Sequence, residues 1–256
     1  DLKPDDDLAE AGGDPNLYDE RMEPAVKWMQ YRHGLAEDGA VGAKTLAELN
    51  VPIEKRLEQM ILNLERRRWI PDDLGQRHIF VNLADFQLKL VDEPKTLIDM
   101  KVVVGKPYTS TPVFSRDMTY IEINPFWTVP PSIARRDLLP KIKKDANFLS
   151  QNSDTVFSDW SAGASVIDPT QVNWSSYGRG NFPFKLRQEP GDGNALGKIK
   201  FMFPNRFNIY LHDTPAKELF SRAERTFSNG CIRVENPRGL AEMVLAKNPG
   251  WTRERI

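Results

Sequence analysis

Of the residues able to do covalent chemistry in this 256-residue chain, one stands alone: Cys231, the single cysteine. It lies in the turn Ser228-Asn229-Gly230-Cys231, nineteen residues after His212, one of three histidines. A thiol becomes a nucleophile when a neighbour stabilises its thiolate and the sulfur stays accessible. A histidine is the usual base, and it must meet the thiol in space rather than in sequence. His212 closes a strand-like run, and a short excursion of nineteen residues can bring the chain back beside it. Gly230 permits a tight turn, after which the amides of Gly230 and Cys231 could aim at one point as an oxyanion site. Tyr210, two residues before His212, projects to the same strand face. The chemistry implied is acyl transfer through a thioester. The same spacing also admits a buried, inert thiol and a histidine that only caps the following helix. Spacing leaves both readings open.

Composition narrows the setting. Hydrophobic residues make up 40% and charged residues 28%, the balance of a chain with a sizeable core. No apolar run approaches the ~20 residues that span a bilayer, and no signal peptide is present. One cysteine excludes an internal disulfide framework. Residues 1–50 carry 12 acidic and 5 basic side chains, the remainder 24 and 30. The front excess, including Asp5-Asp6-Asp7, reads as a mobile acidic terminus over 1–15. The basic surplus lacks the scale and aromatic interleaving of a nucleic-acid groove, so no nucleic-acid partner is expected.

The elements that must position these residues follow from periodicity. Helices are predicted over 19–33, up to Asn50, and from Pro52 to Trp69, where Ile53, Leu57, Ile61 and Leu64 form one stripe. From residue 77 the period becomes two. Strands are expected at "HIFVNL", "FQLKLV", "TLIDMKVVVG", "MTYIEINP", "KIKFMF" and "FNIYLHD". The run "NPFWTVPPS" reads as a rigid loop, and 133–145 as a helix capped by Ser132 and interrupted at Pro140. Residues 146–198 read as irregular, as in a lid. Thr214 and Pro215 are predicted to start a helix, as are Asn236 and Pro237. The fold class is α+β, a mostly β domain preceded by a small all-α module.

"HDTP" followed by "SNGCIR" resembles the signature of the L,D-transpeptidases of bacterial cell walls, which share a YkuD-type catalytic domain. "VVVGK" at 102–106 with Thr111-Pro112, "NPFWTVPPSIARRDLLP" and "GNALGKIKFMFPNRFNIYLHDTP" are similar to the larger, YcbB-type branch. "AVKWMQYRHGLAEDGAVGAKTLAELN" resembles a peptidoglycan-binding helical module. The resemblance implies a module over 16–52, a linker helix over 53–76 and a catalytic domain over 77–256, with a capping subdomain within about 130–198.

By that resemblance Cys231 is the nucleophile and His212 the base. The thiolate attacks the third-residue carbonyl of a donor tetrapeptide stem and expels D-alanine. The amine of a diamino acid on another stem then takes the acyl group. Asp213 would orient the imidazole, Gly230 and Tyr210 would assist, and Arg233 would pair with a stem carboxylate. Asn229, Ser228 and Trp127 would line the substrate groove. Arg233 as a surface ion pair and Trp127 as a core side chain are equal readings. No metal or cofactor is needed, carbapenem-type inhibitors should acylate the thiol, and the expected place is the periplasm or cell envelope. Asn229 stands where many relatives have histidine, leaving His212 the sole base in the motif. Segments that the branch usually carries at either end are not recognisable, which fits a fragment. The competing functions are a catalytically silent wall-binding protein and a cysteine carboxypeptidase.

Overall fold

Near residue 77 the chain changes from helix to strand, as the change in hydrophobic period predicts. The computed structural model describes residues 18–145 and 147–256; the acidic terminus expected at 1–15 lies outside the described residues. Helices α1 (Glu23–Arg32), α2 (Ala43–Leu49) and α3 (Ile53–Arg68) come first. Two compact units result, one ending at His78 and also taking in Ser221–Glu224, the other formed by Ile79–Phe220 and Arg225–Ile256.

The helical unit is organised by a buried polar side chain. Gln30 donates to Asp38 Oδ1 (2.9 Å) and the Ala40 carbonyl (3.0 Å), and its Oε1 accepts from the Gly39 amide (2.9 Å). Gly39 sits at φ 73°, in the left-handed region, where a residue without Cβ is favoured. Trp28 and Tyr31 stack with ring centroids 5.4 Å apart, and both are exposed. The stripe Ile53, Leu57, Ile61 and Leu64 forms on α3 but stays exposed.

The larger unit is built on β1 (Arg77–Asn82), β2 (Gln87–Asp92), β3 (Lys95–Gly105), β4 (Tyr120–Ile123), β9 (Ile199–Met202), β10 (Leu211–His212), β11 (Thr226–Ser228) and β12 (Ile232–Val234). Their order is β1-β2-β3-β12-β10-β9-β4, with β11 added along β3. Leu88, Leu90, Met100, Val102, Phe201, Leu211, Ile232 and Val234 cluster with Leu240 and Ala241 of α7 (Pro237–Leu245). Each of these buried side chains larger than alanine contributes about 1.5–3 kcal/mol.

Several expectations are corrected. "NPFWTVPPS" is not all loop: β5 (Trp127–Thr128) pairs Trp127 with Gln188. The helix after it starts at Pro131, with no side-chain cap from Ser132. It runs as α4 (Pro131–Ile133), a π turn over Ala134–Leu138 and α5 (Leu139–Lys144). The widened turn stands just ahead of Pro140, which has no N–H to continue the α-helical ladder. Residues 147–198 are not merely irregular. After α6 (Phe148–Gln151), β6 (Asp154–Phe157), β7 (Val166–Ile167) and β8 (Lys185–Gln188) join β5 in a second sheet, ordered β5-β8-β6-β7. Its own core gathers Val129, Leu138, Leu139, Ile142, Val156, Trp174, Phe182, Phe184 and Leu186. Past His212, Thr214 starts no α-helix; its Oγ1 accepts from the Ala216 amide (3.2 Å), and only a 3-10 turn follows at Lys217–Ser221.

Candidate active site

Two short parallel strands set the site. β10 and β12 pair with Leu211 opposite Ile232 and His212 opposite Arg233, and the Ile232 amide donates to the Tyr210 carbonyl (3.1 Å). Leu211 and Ile232 both point into the core, 3% and 6% exposed. Side chains alternate along a strand, so Tyr210, His212, Cys231 and Arg233 all take the opposite face. They form a block of four, with Tyr210 beside Cys231, His212 beside Arg233, and His212 diagonal to Cys231. The Tyr210 and His212 rings meet edge to face at 5.6 Å.

His212 is buried, and its Nδ1 bonds the carbonyl oxygen of Asp213. A carbonyl only accepts, so Nδ1 carries the proton and Nε2 keeps its lone pair. Burial first, then the Arg233 guanidinium, pushes the imidazole down to about 3. Lys200 stands opposite His212 on β9 and acts in the same direction. Lys200 is anchored by Glu122 (3.0 Å) and lies 4.5 Å from the Tyr210 ring centre. The His212 imidazole therefore stands neutral between two cations. Asp213 orients it through the backbone, because its carboxylate is engaged by the Lys198 amide (2.9 Å), the Thr214 amide (2.7 Å) and Lys217 (2.7 Å).

Cys231 is partly accessible. Its thiol points at the Asn208 carbonyl, 3.8 Å away, rather than at the imidazole. Burial raises the thiol, while the backbone amide and hydroxyl of Tyr210 and the charges of Lys200 and Arg233 oppose that rise. The Tyr210 hydroxyl faces both the sulfur and the Trp127 indole, and burial raises it in turn. In the turn, Ser228 Oγ accepts from the Gly230 amide (3.0 Å) and donates to the Cys231 carbonyl (2.5 Å). The expectation of a Gly230 oxyanion donor thus fails, since that N–H is already engaged. Among the described residues the Cys231 amide makes no hydrogen bond, so it keeps that capacity, and the Tyr210 hydroxyl beside it is turned to the sulfur. Gly230 serves instead through its conformation, at φ 121°.

Sequence reasoning missed several side chains that hold this frame. Thr111 Oγ1 donates to the Gly230 carbonyl (2.7 Å) and accepts from the Gly105 amide (3.0 Å). Arg136 donates to Asn229 Oδ1 (2.7 Å), bringing the π turn to the turn that carries Cys231. Asn194 donates to the carbonyls of Pro125 (3.1 Å) and Glu189 (2.9 Å). The only advance signal for these was their place in the quoted motifs. Lys200 and Glu122 needed the strand register.

Next to the block lies a cavity of about 240 Å³, lined by Trp127, by Thr214–Ala216 and by Arg233 from the site's side. Arg233 Nε is buried without a hydrogen-bond partner, so Arg233 is not the surface ion pair that its position also allowed. Trp127 answers to both of its readings, packing against the core of the second sheet and walling this cavity. The arrangement sets a partly accessible thiol, a neutral imidazole, hydrogen-bond donors and an unpaired guanidinium beside an opening, groups whose chemistry would suit acyl transfer from a peptide.

Comparison with known proteins fits that chemistry. Residues 76–251 match YkuD, the L,D-transpeptidase catalytic domain, and residues 7–49 match a "Putative peptidoglycan binding domain". A Haemophilus influenzae protein named "Putative L,D-transpeptidase" is 36% identical over 198 residues, which is 77% of this chain and 39% of that protein. The chain thus matches well under half the length of this curated relative.

Proposed function

Because the chain belongs to the L,D-transpeptidase family, we propose that it crosslinks peptidoglycan through a thioester on Cys231. The observation that carries this reading is the placement of Cys231, His212, Tyr210 and Arg233 on one face of two paired strands.

The resting pair is a neutral thiol and a neutral imidazole, since burial disfavours charge on both. As Sγ attacks the carbonyl of the third stem residue, the thiol proton moves to His212 Nε2. The Nδ1–H bond to the Asp213 carbonyl keeps the ring in place. The Cys231 amide and the Tyr210 hydroxyl receive the developing oxyanion. The imidazolium gives its proton to the departing amine of D-alanine, leaving the thioester. A side-chain amine of a second stem then attacks, passes its proton to His212 and displaces the thiolate; the imidazolium returns that proton to the sulfur, which restores the neutral pair. Arg233 pairs with a stem carboxylate, and Trp127 walls the donor groove. Asn229 and Ser228 shape the turn that presents the sulfur.

The helical module holds the wall, with the stacked Trp28 and Tyr31 faces offered to sugar rings. The work takes place in the periplasm or cell envelope; no described helix is long and apolar enough to cross a membrane.

Intact-mass measurement after incubation with a carbapenem tests the chemistry. One covalent adduct is expected on the wild type and none on Cys231→Ala; an unmodified wild type would end the proposal. D-Alanine release from a tetrapeptide donor, with and without an amine acceptor, then separates transfer from hydrolysis. Tripeptide as sole product at every acceptor concentration would identify a carboxypeptidase.

A further inference from the structure

The cavity beside Arg233 has a second wall that the reaction does not use. Lys141 of α5, Phe148 of α6 and Asp154 of β6 line it from the side of the second sheet. Asp154 opens β6, opposite Gln188 in the ladder. Its Oδ1 is buried with no hydrogen-bond partner, as is Arg233 Nε across the same cavity. Of the ionisable groups on its wall, Lys141, Asp154 and Arg233, the last two each keep a buried polar atom without a partner. Buried charged groups are ordinarily paired, so both are poised for a ligand that carries complementary charges. Desolvation alone pushes the Asp154 carboxyl up to about 7, and an ammonium docked on it would restore the ionised form.

We propose that Asp154 receives the free side-chain ammonium of the donor stem's third residue while Arg233 holds a carboxylate of the same stem. This inference rests on the transpeptidase reading. The residue whose carbonyl is attacked at Cys231 has its side chain within one side-chain length of the sulfur. The cavity reaches the same distance, because its walls include Arg233, two residues past the nucleophile, and Thr214, two past the base. Asp154 thereby ties the second sheet to substrate choice: a neutral side-chain end would leave its carboxyl without the partner that stabilises the ionised form.

The test uses the full chain and two tetrapeptide donors, one with the third-residue amine free and one with it acetylated. Glycinamide in excess serves as acceptor, and D-alanine release is followed. The wild type should favour the free amine about tenfold in kcat/KM, the scale of one charge-assisted hydrogen bond. Asp154→Asn should bring that ratio close to one. Because the ratio is taken within each variant, partial unfolding does not move it. A wild-type preference that persists in Asp154→Asn, or a wild type that accepts both donors equally, overturns the inference and leaves transpeptidation standing. A wild type that releases no D-alanine from either donor overturns the transpeptidase reading itself.

Discussion

Arg136 Nη2 and Asn229 Oδ1 lie 2.7 Å apart, joining the π turn to the residue two before Cys231. Asn229 Nδ2 also approaches Asp137 Oδ2 at 3.4 Å, and Arg136 and Asp137 pair at 2.8 Å. The guanidinium is the main reason that the Asp137 carboxyl sits below its ordinary range. The Cys231 turn and the helix that feeds the second sheet are thus clipped together through an amide, at the position where a histidine would lose part of this pattern.

Arg136→Ala should loosen that clip. These groups are largely exposed, so the loss is about 1 kcal/mol, or roughly three- to tenfold in carbapenem acylation rate with little change in Tm. An acylation rate equal to wild type would mean that the clip does not position Cys231.

Much of the site was legible because it is local. "HDTP" and "SNGC" hold the imidazole, the neighbour whose carbonyl fixes it and the thiol within two short segments. The strands around them alternate cleanly: Leu211 and Ile232 fall inward, which forces His212 and Cys231 to the other face. What escaped depends on partners far along the chain. The bond from Thr111 to Gly230 spans 119 positions, and that from Arg136 to Asn229 spans 93. The second sheet escaped because its strands have four residues or fewer, too short for a period to show. Thr214 misled as a helix cap because its hydroxyl closes a local turn instead.

Gly197 offers a sharper test of the frame under His212. Its φ is 60°, and a Cβ there would lie 2.3 Å from Asp213 Cγ. Gly197→Ala must therefore displace Asp213, whose carbonyl holds the imidazole. We expect a loss of about 2–4 kcal/mol together with slowed acylation. Gly163→Ala, where a Cβ meets nothing within 4 Å, should stay within about 0.5 kcal/mol of wild type. Equal Tm values for the two variants would refute the close packing at Gly197.

Asp154 makes stability depend on pH with a definite sign. Its folded value, about 7, lies above its ordinary 3.8. Between these values the folded state holds a proton that the unfolded state has released, so stability falls as pH rises. Asp154→Asn has no such penalty. Its Tm should draw ahead of wild type as pH climbs from 4 to 7, by about 2–5 °C, and the gap should then level off. A Tm difference independent of pH would show that the carboxyl is not buried in its neutral form.

His212 supplies the last and most direct test, because its ordinary value of 6.5 has been lowered to about 3. A neutral base need not lose a proton to work, so acylation of the wild type by a carbapenem should stay flat on the acid side down to about pH 5. A thiolate–imidazolium pair in the resting enzyme would instead titrate in the alkaline range through the imidazolium, and the rate would follow it. His212→Ala should slow acylation ~10²–10⁴-fold while the slow residual rate rises with pH, as an unassisted thiol requires. Stability carries the same sign: below 6.5 the unfolded state gains a proton that the folded state refuses, so wild type should lose Tm relative to His212→Ala as pH falls towards 4. An acid limb centred near 6.5 in the wild-type rate would place a charged, solvated imidazole at this position and contradict its burial between Lys200 and Arg233.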